Sequence, residues 1–200
     1  GGFSPFSFHI TSLLKPGENE IEVDVSENSA IPGINASERL ADFWLFGGIH
    51  RPVFLEFLPA EFIDRIAVDA RADGSLKLEV FPGAVKSADH VATRLLNENG
   101  RQIGNTLQAA IEPGTTNILL AGQFASPKLW SPETPNLYQL EVTLYAGEKP
   151  LHRVSEQIGF RTFEILAGGG FKLNGRRIVL KGVDRDAFRP ETGRTLSAQN

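Results

Sequence analysis

The sequence contains no cysteine and no long apolar run. Without cysteine, a disulfide scaffold, a thiolate metal site and a cysteine nucleophile are all excluded. A transmembrane helix needs about 20 consecutive apolar residues, and no run in this chain approaches that length. No basic segment followed by an apolar one opens the chain, so the sequence offers no signal-peptide pattern.

The chain also lacks an excess of positive charge. Its 20 Lys and Arg residues are outnumbered by 24 Asp and Glu residues, which gives a net charge of −4. Proteins that bind nucleic acid through its phosphates carry a basic surface, so a nucleic-acid partner is not expected. A hydrophobic fraction of 41% and a charged fraction of 22% are ordinary for a globular protein and argue against disorder.

The residues that are abundant favour strands and turns. The 20 Gly and 12 Pro residues supply turns, and the 14 Phe residues are β-prone. Apolar and polar residues alternate in several segments, as they do in strands that bury one face. The clearest are Phe6–Ile10, Ile21–Val25, Ile66–Ala70, Leu76–Val80 and Leu140–Leu144, and the less regular ones are Val53–Leu58, Val91–Leu96, Asn117–Leu120 and Gln157–Arg161.

Turn signals separate these segments. The sharpest, Asn174-Gly175, joins residues 171–173 to residues 178–180 and predicts a hairpin. Residues 37–43 carry a weak helical pattern and are interpreted as a loop or a single turn. The other turn signals are Pro16-Gly17, Asp73-Gly74, Asn99-Gly100, Pro113-Gly114 and Ala146-Gly147. Strands at this spacing predict an all-β chain with a β-sandwich of the immunoglobulin type over residues 61–163.

Several segments resemble glycoside hydrolase family 2, and they occur in the order expected of that family. The first lie in residues 1–19 and 46–53, which include Phe46-Gly47-Gly48-Ile49-His50-Arg51, and resemble the end of its jelly-roll sugar-binding domain. Residues 129–138, Leu-Trp-Ser-Pro-Glu-Thr-Pro-Asn-Leu-Tyr, resemble a motif of its immunoglobulin-like domain. Residues 159–161 and 171–183 resemble the strands that lead into its catalytic barrel.

The resemblance implies three regions. Residues 1–60 would be the C-terminal part of the jelly roll, residues 61–163 the immunoglobulin-like sandwich, and residues 164–200 a linker hairpin with the start of a (β/α)8 TIM barrel. Such a barrel needs about 250 residues, so this chain holds at most its first strand. The chain is therefore expected to be a non-catalytic scaffold portion of a retaining exo-β-glycosidase, β-galactosidase-like, that takes part in carbohydrate breakdown.

The residues for catalysis are expected downstream of this chain. Retaining glycosidases use two carboxylates about 5–5.5 Å apart. The family's acid/base glutamate follows an asparagine, and two Asn-Glu pairs, Asn19-Glu20 and Asn97-Glu98, occur here. Both fall at predicted turns rather than on barrel strands, so no catalytic residue is assigned. This fragment is predicted to be inactive by itself.

The predicted substrate-binding residues are Asp184, Arg185 and Asp186. The family pattern has Asn and His where this chain has Asp184 and Asp186. An ionised Asp accepts hydrogen bonds from sugar hydroxyls but cannot donate them as His can, which puts galactose specificity in doubt. The alternative for these three residues is an ion-pair cluster at the end of a strand.

A second function remains open on the sequence, that of a non-catalytic carbohydrate-binding or adhesive β-sandwich protein. It would need an exposed aromatic platform, for which Trp130 and Tyr138 are candidates, although both also suit a plug at one end of the sandwich. The four His residues show no metal-ligand spacing, so neither a metal nor a cofactor is expected. The expected partner is a carbohydrate, bound by the full-length enzyme. A homo-oligomer is left open, and a periplasmic or secreted place is favoured over a cytoplasmic one.

Overall fold

The computed structural model describes residues 5–40, 48–49, 51–112, 114–183 and 189–193. The chain divides into two compact units. The first comprises Gly1–Phe54 together with Val183–Asn200, and the second comprises Leu55–Gly182. No helix in the described part of the chain is long and apolar enough to cross a membrane.

The described part of the first unit contains a short 3-10 turn, Thr11–Leu13, and one helix, α1, Pro32–Arg39. Pro32 lies in the first turn of α1, where its fixed φ suits a helix and its missing N–H costs no hydrogen bond. Arg39 lies in the last turn, a favourable place for a cation, and its Nη2 is 3.1 Å from Oε1 of Glu27. The prediction of a loop or single turn over residues 37–43 is therefore wrong up to Arg39, because the helix begins before the weak apolar pattern.

Three predicted strands, at residues 6–10, 21–25 and 53–58, are not strands in the structure. Their large apolar side chains are mostly exposed, Phe8 at 79% and Phe57 at 88%. A strand needs a neighbour that completes its hydrogen-bond ladder, and no described strand pairs with these segments. The alternation of apolar and polar residues was therefore not enough to predict strands in these segments. The assignment of residues 1–60 to the C-terminal part of a jelly roll stays a prediction.

The second unit is built around a β-sandwich of seven strands. They are β1 (Phe62–Ala70), β2 (Ser75–Ala84), β3 (His90–Leu96), β4 (Gln102–Ala110), β5 (Ile118–Gln123), β6 (Tyr138–Ala146) and β7 (Lys149–Ile158). One sheet has the order β1-β2-β5, the other has the order β4-β3-β6-β7, and all pairs are antiparallel. Seven antiparallel strands in two sheets over about 100 residues match the immunoglobulin-like sandwich, so the predicted fold class is confirmed.

The core lies between the inner faces of the two sheets. Every second residue of β2 and β6 points into it, and these side chains are almost fully buried. They are Leu76, Leu78 and Val80 from β2, and Leu140, Val142 and Leu144 from β6. Burial of a large aliphatic side chain contributes about 1.5–3 kcal/mol, so these two strands supply much of the stabilisation of the fold.

Phe160 closes one end of this core. Its side chain is fully buried, with ring centroids 5.4 Å from Tyr138 and 5.9 Å from Phe124. The Tyr138 ring stands nearly perpendicular to that of Phe160, which is a favoured aromatic geometry. The backbone of Phe160 also forms a parallel bridge with Leu129, so the chain leaving β7 is attached to the segment before β6.

The outer strand β1 is irregular at its start. Its register against β2 shifts between Phe62 and Ile63 and again between Ile63 and Arg65. The intervening Asp64 is exposed. Such shifts are typical of β-bulges, which bend and twist an edge strand.

The turn from β1 to β2 requires glycine at position 74. Gly74 has a φ of +84°, which L side chains rarely adopt. A Cβ atom there would lie 2.0 Å from the carbonyl oxygen of Phe124. The predicted Asp73-Gly74 turn is therefore confirmed, and its glycine also permits close packing of the backbone after β5.

A second, small sheet follows the sandwich. It consists of β8 (Phe163–Ile165), β9 (Phe171–Leu173) and β10 (Arg176–Ile178), in the order β10-β9-β8. The predicted hairpin at Asn174-Gly175 is confirmed, with φ angles of 51° and 78°, but its second strand begins at Arg176 rather than at Ile178. Residues 179–183, which lie in the region expected to hold the start of the barrel, are exposed and outside any strand.

The three consecutive glycines form the turn between β8 and β9. Gly168, Gly169 and Gly170 have φ angles of 86°, 96° and 102°. The Leu166 N–H donates a hydrogen bond of 3.0 Å to the Gly170 carbonyl oxygen, and Gly169 N–H donates one of 3.0 Å to Leu166. The segment is therefore a hydrogen-bonded hairpin turn.

Candidate functional site

The predicted sugar-binding residues Asp184, Arg185 and Asp186 lie outside the described residues. Before them in the chain, Lys181 to Val183 are exposed. After them, Arg189 and Gly193 close a tight turn, in which each backbone N–H donates to the carbonyl oxygen of the other, at 2.9 and 2.8 Å. The role of these three residues stays a prediction.

Both Asn-Glu pairs lie at turns, as the sequence indicated. Asn19 closes the turn after Lys15, whose N–H donates a hydrogen bond of 2.9 Å to Oδ1 of Asn19. The Gly100 N–H donates one of 2.9 Å to the carbonyl oxygen of Asn97, while Glu98 forms an exposed ion pair of 3.0 Å with Lys128. Neither glutamate is held on a strand end in the way that catalytic carboxylates require.

Tyr138 and Trp130 do not form an open aromatic platform. Tyr138 is only 8% exposed, and its hydroxyl oxygen accepts a hydrogen bond of 2.8 Å from the Lys128 N–H. The Arg161 guanidinium lies 4.6 Å above the centroid of the half-buried Trp130 ring. A Cβ atom on Gly159 would come within 2.7 Å of the Trp130 Cβ. A stacking sugar needs a free ring face, so this geometry favours the packing role for both aromatics.

An open cleft of about 860 Å³ lies beside β1 and the end of β7. Its lining mixes apolar side chains such as Ile66 with charged ones of both signs, among them Asp64, Glu156 and Arg161. No group of three or more His, Cys, Asp or Glu side chains suited to a metal ion occurs in the described part of the chain. The cleft therefore presents hydrogen-bonding groups but no metal centre within those residues.

Thr162 ties the chain after β7 to the end of β1. The Arg161 N–H donates a hydrogen bond of 3.0 Å to the carbonyl oxygen of Ala70. The Ala72 N–H donates one of 3.0 Å to Oγ1 of Thr162. The segment between the sandwich and the small sheet is thus fixed by backbone and side-chain contacts together.

Asn174, in the β9–β10 turn, also forms hydrogen bonds with Thr162. Its Oδ1 accepts a hydrogen bond of 2.9 Å from the Thr162 N–H, and its own N–H donates one of 2.8 Å to the Thr162 carbonyl oxygen. Its Nδ2 donates one of 3.0 Å to the carbonyl oxygen of Trp130. The sequence identified this residue only as a turn former, because nothing local indicates partners 12 and 44 positions away. We call the set Ala72, Trp130, Thr162 and Asn174 the junction.

Glu61 holds the loop between β2 and β3. Its carboxylate accepts hydrogen bonds from the N–H groups of Lys86, Ser87 and Ala88, at 2.6, 2.7 and 2.9 Å, and also from the Ser87 hydroxyl. These bonds favour the ionised form, the Ser87 hydroxyl most, and lower the pKa of Glu61 to about 2. The carboxylate therefore acts as a structural anion rather than as an acid or base for catalysis.

His152 is another titratable group with a structural contact. Its Nδ1 accepts a hydrogen bond of 3.0 Å from the Ile63 N–H, and its ring meets that of Phe62 edge-on at 6.5 Å. Burial lowers the pKa of His152, and the charge of Glu56 opposes that shift. The sequence gave no indication of this contact, because it joins strands at opposite ends of the sandwich sequence.

Comparison with known proteins identifies the family. The family model described as "Glycosyl hydrolases family 2" matches residues 61–161. A putative beta-glucuronidase of Formosa agariphila is 31% identical over 98% of this chain and 24% of its own length. A beta-galactosidase of Priestia megaterium is 34% identical over 96% of this chain and 19% of its own length. The chain thus spans a quarter or less of the length of these two relatives.

Solved structures agree with the fold. The apo structure of Bacteroides uniformis beta-glucuronidase 3 aligns with a TM-score of 0.66 and 27% identity, over 80% of this chain and 20% of that chain. The beta-glucuronidase of Ruminococcus gnavus aligns with a TM-score of 0.57 and 24% identity, over 71% of this chain and 22% of that chain. Since the family model covers half of the residues, including the whole sandwich, this chain belongs to family 2 of the glycosyl hydrolases.

Proposed function

We propose that this chain is a non-catalytic scaffold region of a longer retaining exo-β-glycosidase. The observation that carries the proposal is the family match over the sandwich, together with relatives that align along almost the whole chain yet are four to five times longer. In this proposal the sandwich spaces a sugar-binding region from a catalytic barrel. The two catalytic carboxylates are contributed by the longer protein, downstream of residue 200.

Three carboxylates of the described residues make structural contacts, and these contacts support a scaffold role. Glu61 accepts hydrogen bonds from the loop between β2 and β3, and Glu98 forms an ion pair with Lys128. Asp89 accepts hydrogen bonds from the Gly147 N–H and from His90. The contacts of Asp89 lower its pKa, first through the Gly147 N–H and then through His90, and those of Glu61 lower the pKa of that residue as well. A general acid in a glycosidase needs the opposite, a raised pKa.

We further propose that Asp184, Arg185 and Asp186 contact the sugar in the longer enzyme. Loops that follow barrel strands form the active face of such barrels, and the resemblance of this segment to the family supports a position there. The carboxylates would accept hydrogen bonds from sugar hydroxyls. The relatives are a putative glucuronidase and a galactosidase by name, so the substrate is proposed at the level of a β-glycoside.

The test compares this 200-residue chain with the longer protein on nitrophenyl β-galactoside, β-glucuronide and β-mannoside. We expect turnover by the longer protein, with retention of the anomeric configuration by NMR, and none by the 200-residue chain. Turnover by the 200-residue chain that survives repurification would contradict the scaffold role. A longer protein that hydrolyses none of the three substrates would contradict the glycosidase.

In the longer protein, Arg185→Ala tests the proposed sugar contact. A rise in KM or a fall in kcat, with an unchanged melting temperature, would support it. Arg153→Ala is the matched control, because that arginine lies on the exposed face of β7 and contacts Thr143. Unchanged kinetics in Arg185→Ala would favour the ion-pair alternative.

A further inference from the structure

The Asn174-Gly175 turn has more contacts than a turn requires. A two-residue hairpin of this kind needs residues that tolerate positive φ, and glycine meets that need at least as well as asparagine. Asn174 adds a side-chain amide, of which Oδ1 accepts from Thr162 N–H and Nδ2 donates to the Trp130 carbonyl oxygen. Both polar groups of the amide therefore bond outside the turn. Their partners are backbone atoms of Thr162 and Trp130 in the junction.

We propose that Asn174 is a positioning residue, which fixes the direction in which the β9–β10 hairpin leaves the sandwich. Its amide bridges two segments, the one before β6 at Trp130 and the one after β7 at Thr162. Thr162 is itself bonded to Ala72 beyond the end of β1. The Asn174 side chain therefore ties the hairpin to two segments of the sandwich directly, and to a third through Thr162.

The hairpin is otherwise held by the pairing of β9 with β8 and by the hydrogen bond from the Asn174 N–H to the Thr162 carbonyl oxygen. Its strands have three residues each, and isolated hairpins of this size are marginal in water. Leu173 is its one buried apolar residue, whereas Arg176 and Arg177 are exposed. Hydrogen bonds depend on angle as well as distance, so the two bonds of the Asn174 amide constrain orientation in a way that one apolar contact does not.

The consequence for catalysis rests on the proposed function. Residues 171–183 resemble the strands that lead into the catalytic barrel of the family, so the direction of the hairpin would set where that region begins. In a glycosidase, a displacement of about 1 Å at the reacting groups is enough to lower the rate by about a hundredfold. Asn174 would thus act on the reaction through placement, without touching the substrate.

The first experiment uses the 200-residue chain and hydrogen exchange. Asn174→Gly keeps the turn but removes both amide bonds. Because two hydrogen bonds are lost, we expect exchange in residues 171–178 to accelerate about tenfold or more. The core amides of Leu140 and Val142 exchange through global unfolding, so they should accelerate by no more than the loss of global stability measured by urea unfolding. Unchanged exchange in the hairpin would overturn the proposal.

Two further variants sharpen this experiment. Asn99→Gly makes the same chemical change in another Asn-Gly turn, at a side chain that forms no hydrogen bond within the described part of the chain, and should leave exchange in the hairpin unchanged. Asn174→Asp keeps the acceptor for Thr162 N–H but replaces the donor to Trp130 with an oxygen that repels the Trp130 carbonyl oxygen, so its hairpin exchange should also be faster than that of wild type. Acceleration of the hairpin by Asn99→Gly would contradict a specific role for Asn174.

The second experiment uses the longer protein and separates the two proposals. We expect Asn174→Gly to lower kcat several-fold at temperatures where the longer protein is still fully folded. Unchanged kcat alongside faster hairpin exchange would overturn the catalytic consequence. If the wild-type longer protein hydrolyses no β-glycoside, the proposed function fails, while the exchange experiment still decides whether Asn174 positions the hairpin.

Discussion

The Ile63 N–H donates a hydrogen bond of 3.0 Å to Nδ1 of His152, 89 positions further along the chain. Ile63 belongs to β1 and His152 to β7, the outer strands of different sheets, which form no ladder with each other. Because Ile63 is only 2% exposed, its N–H depends on this acceptor. The contact joins the two sheets along one side of the sandwich.

The stability of the fold should therefore decrease as the pH is lowered, because protonation of His152 breaks this contact. Only the unprotonated Nδ1 accepts a hydrogen bond, and burial lowers the pKa of His152 below its usual 6.5. With a folded-state pKa below the unfolded-state value, the contribution is complete above pH 6.5 and is lost as the pH falls through the folded-state pKa. We expect urea unfolding midpoints to drop as the pH is lowered below about 6.5.

His152→Phe is the test of that assignment. It keeps a ring but removes the acceptor, which leaves a buried N–H unpaired at a cost of about 1–3 kcal/mol at neutral pH. The drop with pH should shrink in this variant and persist in His9→Phe, which alters an exposed histidine. An undiminished pH dependence in His152→Phe would show that other groups cause it.

The hydrogen bonds of the Glu61 carboxylate should stabilise the fold until the pH falls below about 4.5. Its pKa of about 2 lies below the usual 4.5, so its contribution is complete above pH 4.5 and is lost as the pH falls towards 2. Glu61→Gln should lower the melting temperature at neutral pH and reduce its acid dependence in that window. Glu133→Gln, at an exposed glutamate, is the control and should resemble wild type. Equal acid profiles for all three proteins would contradict the loop-holding role of Glu61.

Thr93 is a site where the core can be improved. Its side chain is 2% exposed, and Oγ1 has no hydrogen-bond partner in the described part of the chain. Thr93→Val removes this unpaired hydroxyl at nearly constant shape, so we expect a gain of about 1 kcal/mol, or about 2–4 °C in melting temperature. Thr143→Val is the matched comparison, because Oγ1 of Thr143 accepts a hydrogen bond of 3.3 Å from Arg153, and it should not stabilise. A destabilised Thr93→Val would indicate a hidden partner for the hydroxyl.

Trp130→Ala distinguishes packing from sugar binding. Loss of the Arg161 contact and of half-buried ring surface should cost about 1–3 kcal/mol and lower the melting temperature. Calorimetric titration with galactose, glucuronate or mannose should give no heat for wild type or variant. Binding by wild type that disappears in Trp130→Ala at an unchanged melting temperature would favour the carbohydrate-binding alternative instead.

The sequence predicted the central strands well and the flanking ones poorly. Alternation in residues 76–80 and 140–144 was sufficient because each strand has neighbours on both sides. The same pattern failed at residues 6–10, where no described neighbour completes a ladder. The strand β4 was not predicted, because Gly104 interrupts the alternation of apolar and polar residues in its sequence. Gly104 has a φ of 64° and lies opposite the register shift between Thr93 and Leu95.

The candidate site was harder to predict than the fold. The turn at Asn174 was predictable because its signal is two adjacent residues. Its bonds to Thr162 and Trp130, like the contact between His152 and Ile63, join positions far apart in the chain. Such contacts depend on how two sheets pack, and local residue pattern carries no information about that.

The bulged start of β1 has a further consequence, for solubility. A free edge strand exposes backbone groups that another chain can pair with. Here the register shifts around Ile63 twist that edge, and the charged side chains of Asp64 and Asp69 stand along it. A second β-strand would have to follow the twist and desolvate those carboxylates before it could pair. The edge is therefore a poor template for aggregation, although its backbone is not covered by another strand of the sheet.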